Sequence, residues 1–122
     1  MRNMSFSLTT NQFLDGSKTV TRRLGWLFLK VEDRVMAIEK GQGLKKGQKI
    51  KRLGVIETLA VHREQLSYIS SSDVIKEGFP EMTTGEFIRF FCQANSCFEN
   101  SLVSRIEFKR IKSINKEQAN EM

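Results

Sequence analysis

The chain has 122 residues, of which 39% are hydrophobic and 28% charged. This composition excludes a disordered polymer and fits one domain, which buries roughly two-thirds of its unfolded surface without disulfides or metal. Twenty Lys and Arg against fourteen Asp and Glu give a net charge of +6, divided as +8 over residues 1–63 and −2 over residues 64–122. A basic half of this kind suits a polyanionic partner, or else serves as a solvated surface. The longest apolar runs, such as Leu24–Leu29, are too short to span a bilayer. Met1–Thr10 lacks the basic start and apolar stretch of a signal peptide. A cytoplasmic protein with no membrane partner is expected.

Met4–Leu8 alternates loosely and predicts a first strand. Thr9 and Thr10 offer N-cap oxygens to a short helix through Gln12, Phe13 and Leu14, and Gly16 suits its left-handed end. Ser17–Arg23 is polar, basic and not helical. Glu32-Asp33 marks a turn before a buried strand over Arg34–Glu39. Lys40–Arg52 holds six basic residues, three glycines and no acid, and reads as a loop or wide hairpin turning at Lys46-Gly47-Gln48. Val55–Val61 is rich in β-branched residues and predicts a strand.

The pattern then turns helical. Ser71 or Ser72 can cap a short helix through Asp73, Val74 and Ile75 that ends at Gly78. Thr83 with Glu86 fits a capping box. The helix it opens carries Phe87, Phe90, Phe91 and Ala94 on one face, as core packing requires. Leu102–Ile111 predicts a closing strand. Residues 113–122 are polar and predict a disordered tail. Together these elements make an α+β fold around a small, mostly antiparallel barrel with two or three short helices. Cys92 and Cys97 lie five apart with no secretion signal, so free thiols are expected, with Cys92 packed as a small hydrophobe. His62 is the single histidine, which leaves too few ligands for zinc. No metal and no cofactor are expected.

The segment from Gly16 to Arg23 concentrates chemistry: one lysine, two threonines and two arginines. Arg22 and Arg23 can hold phosphate. A lysine desolvated in a pocket can lose its proton near neutral pH and activate a hydroxyl. In an extended segment Lys18 and Arg22 share one face and Thr21 and Arg23 the other, so a turn is needed to bring Lys18 to Thr21.

Gly16, Lys18, Thr21 and Arg23 meet a Gly-x-Lys-x-x-Thr-x-Arg pattern that resembles the signature of the ASCH domain family. Trp26 with Lys30–Val35, and Glu77-Gly78-Phe79, resemble further stretches of that family, and the likeness spans roughly residues 4–111. In one turn Glu32-Asp33 stands where the family often has Gly-Asp. The resemblance implies a PUA-like β-barrel over residues 1–112, with a cleft between barrel and helices and an RNA-linked function. One bacterial branch of the family hydrolyses N4-acetylcytidine with a lysine, a threonine and a distant glutamate, and another member is a ribonuclease. Carried onto this chain, the lysine is Lys18, the threonine Thr21, and the glutamate Glu77, with Glu81 as the alternative.

The expected partner is RNA or a nucleoside, bound by a chain taken to be monomeric. Arg22, Arg23, Lys45, Lys46, Lys49, Lys51 and Arg52 are candidates for phosphate contact. Trp26 is a candidate for base stacking, with core packing as its other reading. The leading expectation is binding of RNA or a modified nucleoside in a basic cleft, with hydrolytic activity as an accompanying option. The alternatives are an amidohydrolase acting on N4-acetylcytidine-type nucleosides, a ribonuclease, and a non-catalytic protein-binding adaptor.

Overall fold

A computed structural model describes residues 1–111. The tail expected at 113–122 lies outside the described residues. The strands are β1 (Asn3–Ser5), β2 (Val20–Arg23), β3 (Arg34–Ile38), β4 (Arg52–Gln65) and β5 (Leu102–Arg110). The helices are α1 (Thr10–Asp15), α2 (Ser71–Lys76) and α3 (Thr84–Asn95), with a 3-10 turn at Leu66–Tyr68. The strands form one sheet in the order β1-β3-β4-β5-β2, with β1 parallel to β3 and the other pairings antiparallel. The fold is α+β, as expected.

The closed PUA-like barrel of the sequence reading is corrected to an open sheet. β1 and β2 are its two edges, and among the described residues no ladder joins them. The physical reason is chain geometry. β1 pairs over only three residues, and β2 is occupied on one side by β5. Apolar alternation reports which face of a strand is buried, not whether the outermost strands meet.

Local signals account for most element ends. Gly16 closes α1 in the left-handed region (φ 83°), its N–H bonded to the Phe13 carbonyl. Thr9 occupies the N-cap position of α1 without a side-chain cap bond, and the Thr10 hydroxyl donates instead to the Phe6 carbonyl at 2.8 Å. Ser70, not Ser71 or Ser72, caps α2 by accepting from the Asp73 N–H. The Thr83–Glu86 capping box opens α3 as expected. Glu32 adopts φ 77°, so the turn keeps a left-handed residue where the resembling family often has glycine. That conformation costs a non-glycine residue about 1–2 kcal/mol.

β4 begins three residues earlier and ends four residues later than the apolar pattern indicated. Its polar end, His62–Gln65, pairs with Leu102–Arg105 of β5, so backbone pairing extends the strand beyond its hydrophobic run. One core cluster gathers Phe6, Phe13, Val35, Ile56, Ile106 and Phe108, with the Phe6 and Phe13 rings 4.8 Å apart. A second gathers Leu66, Val74, Phe79, Phe87, Phe91 and Val103 beneath α2 and α3. None of the helices in the described residues is long and apolar enough to cross a membrane.

Candidate functional site: a cleft over β2, α2 and α3

The segment before β2 is clamped by backbone bonds. Lys18 N–H donates to the Gln12 carbonyl at 3.1 Å, and Thr19 N–H to the Lys76 carbonyl at 2.8 Å. These bonds tie α1, β2 and α2 together and aim Lys18 at the end of α2. Glu77 is the C-cap residue of α2, followed by Gly78 at φ 103°. A Cβ at Gly78 would stand 2.8 Å from Gln12 side-chain carbons, so both its conformation and its space require glycine.

A carboxylate at a helix C-terminus opposes the helix dipole. Lys18 offsets this by donating from Nζ to the Glu77 carbonyl at 2.9 Å and to Glu77 Oε1 at 2.8 Å. Both side chains are buried, at 3% and 4% exposure. Burial lowers the pKa of Lys18 below its ordinary value, Glu77 opposes that shift, and Arg23 and Arg22 add to it. Thr21 and Arg23 share the other face of β2, where Arg23 Nε donates to Thr21 Oγ1 at 3.1 Å. The Arg23 guanidinium lies 4.9 Å from the Phe6 ring centroid. Burial lowers its pKa to about 10, against the pull of Glu77.

Lys18, Thr21, Arg23 and Glu77 all line one cleft of about 280 Å³. Its lining is also aromatic, with Phe6, Phe79 and Phe87, Phe90 and Phe91 of α3. The apolar stripe of α3 therefore serves both core and cleft. Glu81, the alternative acid, is exposed and is not among the cleft residues.

Arg22 also borders the cleft, but its guanidinium is committed to carboxylates. Nη1 lies 3.2 Å from Glu77 Oε2, and Nη2 lies 2.8 Å from Glu64 Oε2 and 2.6 Å from Asp73 Oδ2. Arg105 grips the same Asp73 with two bonds, of 2.6 and 3.0 Å. His62 Nε2 contacts Glu64 Oε1 at 2.6 Å. Hydrogen bonds to Asp73 and Glu64 outweigh burial and raise the pKa of Arg22. Of the three guanidinium nitrogens of Arg22, Nε lacks a partner among the described residues. No local signal in the sequence marks this network of Asp73, Glu64 and Arg105, because each contact joins residues more than thirty positions apart. Among the described residues no group of three or more His, Cys, Asp or Glu is placed to hold a metal.

The network makes a prediction for acid stability. The Arg105 hydrogen bonds hold Asp73 well below the usual carboxylate range, with Arg22 adding to them and burial opposing. A depressed acid contributes stability above its unfolded pKa of about 4, and that contribution is lost as pH falls below it. Melting temperatures of the wild type are expected to fall steeply below about pH 5. Asp73→Asn should start lower at pH 7 and fall less. Parallel curves would mean that Asp73 contributes nothing to the acid transition.

The remaining candidates lie elsewhere. Trp26 sits at φ 63°, half-buried against the first core cluster, 5.4 Å from the Phe28 ring, and outside the cleft. Lys45, Lys46, Lys49, Lys51 and Arg52 are exposed and do not line the cleft. Lys51 pairs loosely with Glu39 at 3.4 Å. Beside their loop lies a second hollow of about 520 Å³, edged by Lys40, Gly41 and Gln42. Ser5 and Ser7 line both hollows, so the loop adjoins the cleft across β1.

Compared with solved structures, the fold is similar to an ASCH domain from Lactobacillus crispatus JV V101. The TM-score is 0.60 at 18% identity, over 89% of this chain and 78% of that one. It is also similar to a protein from Enterococcus faecalis V583 described by the DUF984 family model. There the TM-score is 0.66 at 16% identity, over 98% and 81% of the two chains. No family model and no curated protein matches the sequence itself. The chain has an ASCH-like fold.

Proposed function

We propose that the cleft binds a modified nucleoside or one nucleotide of an RNA strand. The observation that carries this reading is the convergence of Lys18, Thr21, Arg23 and Glu77 on one space walled by phenylalanines. A nucleobase is flat and rimmed with donors and acceptors, so an aromatic wall stacks on it while polar groups pair with its edge. The resemblance seen in the sequence supports the same ligand class. Lys45, Lys46 and Lys49 are exposed on the loop whose Lys40–Gln42 and Ile50 edge the adjoining hollow, and they can meet the phosphates of a longer strand.

Equilibrium binding of N4-acetylcytidine and of a single-stranded oligoribonucleotide, at several salt concentrations, tests this. Both ligands are expected to bind, the oligonucleotide more tightly. If four phosphates are met, its log–log salt slope is about −3, falling to about −1 when Lys45, Lys46 and Lys49 are replaced by alanine. Nucleoside affinity should not change in that variant. Absence of nucleoside binding would overturn the cleft reading, and salt-independent RNA binding would remove the loop from it.

A second reading, hydrolysis of an N-acyl group on the bound base, is favoured by the buried Lys18–Glu77 pair, which lines the same cleft as Thr21. Lys18 in its neutral form takes the proton of Thr21 or of a water, and the resulting oxygen nucleophile attacks the acyl carbonyl. The Arg23 bond to Thr21 Oγ1 favours negative charge developing on that oxygen. Lys18 passes that proton to Glu77 Oε1 across their 2.8 Å contact, and Glu77 delivers it to the departing exocyclic amine. Where Thr21 is the nucleophile, a water then cleaves the acyl-threonine ester, so on either route one water is consumed and a carboxylic acid and a free amine leave.

A further inference from the structure

α3 ends in a defined cap. Ser96 takes the left-handed conformation (φ 51°, ψ 52°), and Cys97 N–H donates to the Cys92 carbonyl at 3.2 Å. This is the six-to-one bond of a Schellman motif, which brings the side chains at those two positions into contact. The usual contact is between two apolar residues. Here the chain's only two cysteines occupy the two positions. The Cys97 thiol donates toward Cys92 Sγ at 4.0 Å. Both side chains are partly exposed and pack against the second core cluster.

We propose that Cys92 and Cys97 are a dithiol site that a small-molecule disulfide, of the glutathione type, converts to an intrachain disulfide. One cysteine thiolate attacks the oxidant and releases one glutathione thiol. The second cysteine attacks the protein-side sulfur of the mixed disulfide and releases the other. Two cysteine S–H bonds and one S–S bond are broken, one protein S–S bond forms, and two electrons and two protons end on two glutathione thiols. The sulfurs must close from 4.0 Å to about 2.05 Å. The cap bond already holds their backbones together.

The bond would reach the cleft through α3. Ala94 and Asn95, between the two cysteines, line the cleft, and so does Phe91 immediately before them. Oxidation therefore fixes the last turn of the helix that supplies the aromatic wall. Burial and the Cys97 hydrogen bond raise the Cys92 thiol above its ordinary pKa, so disulfide formation should speed up as pH rises.

The experiment treats the full chain with oxidised glutathione, blocks free thiols with a maleimide, and reads the intact mass. The wild type is expected to lose the mass of two hydrogens, take up no maleimide, and recover both thiols on treatment with dithiothreitol. Cys92→Ser and Cys97→Ser should each stop at one bound glutathione. Two labelled thiols, a persistent mixed disulfide or a disulfide-linked dimer in the wild type would overturn the proposal. Amide exchange at Ser96 and Cys97 should slow at least tenfold in the oxidised form, and unchanged exchange would reject the lock on α3.

Discussion

Replacing Lys18 with methionine is expected to lower hydrolysis of an N-acylated nucleoside by about 100- to 10,000-fold, the range associated with loss of a general base. Methionine keeps most of the buried methylene volume, so the protein should still fold. Glu77 Oε1 loses its cation, but Oε2 keeps Arg22 Nη1 at 3.2 Å. The Glu77 carbonyl and Oε1 both lose their donor, and the stability loss is about 3 kcal/mol, the lower end for breaking a buried ion pair. In the wild type the rate should rise with pH as Lys18 loses its proton. Its buried position brings that rise below the range of an ordinary lysine. Release of free amine by purified wild-type and Lys18→Met protein, followed across pH, checks both statements. Equal turnover in the two proteins rejects Lys18 as the base, and a flat wild-type profile rejects its titration.

Arg22→Met should produce the largest loss of stability. The Arg22 side chain is 1% exposed and serves three carboxylates at once. Its removal leaves Asp73 to Arg105, Glu77 to Lys18 and Glu64 to His62, each with its negative charge less compensated. Breaking a buried ion pair by removing one partner costs about 3–5 kcal/mol, because the other charge remains buried. Urea unfolding measures this directly. A loss under about 1 kcal/mol would mean that the remaining cations suffice. The same guanidinium holds Glu77 Oε2 at 3.2 Å, so Arg22 also orients that cleft carboxylate.

The helices were largely legible because their ends carry local chemistry. Gly16 and the Thr83–Glu86 box act within a few residues, and both mark real boundaries. The convergence of Lys18 on Glu77 became readable only through resemblance to a family, since 59 positions separate them. Arg22 illustrates the limit of composition. An arginine in a basic, threonine-containing segment reads as a candidate phosphate ligand, and in the fold Asp73 and Glu64 also hold it. Nothing local announces those partners, which lie 51 and 42 positions away. The barrel failed for a related reason: closure depends on sheet curl and edge lengths, and neither is written in the pattern of one strand.

The open edges have a consequence for how this site can change. Ser5 of β1 and Thr21 and Arg23 of β2 line the same cleft, so the cleft occupies the seam that a closed barrel would have zipped. Arg23 over the Phe6 ring spans the seam with a side chain, where a ladder would have spanned it with backbone. The separation of the two edges depends on the curvature of β3, β4 and β5 between them, and β4 carries a register irregularity between Thr58 and Ala60, a feature that bends strands. Substitutions far from the cleft, along those three strands, are therefore expected to change its width.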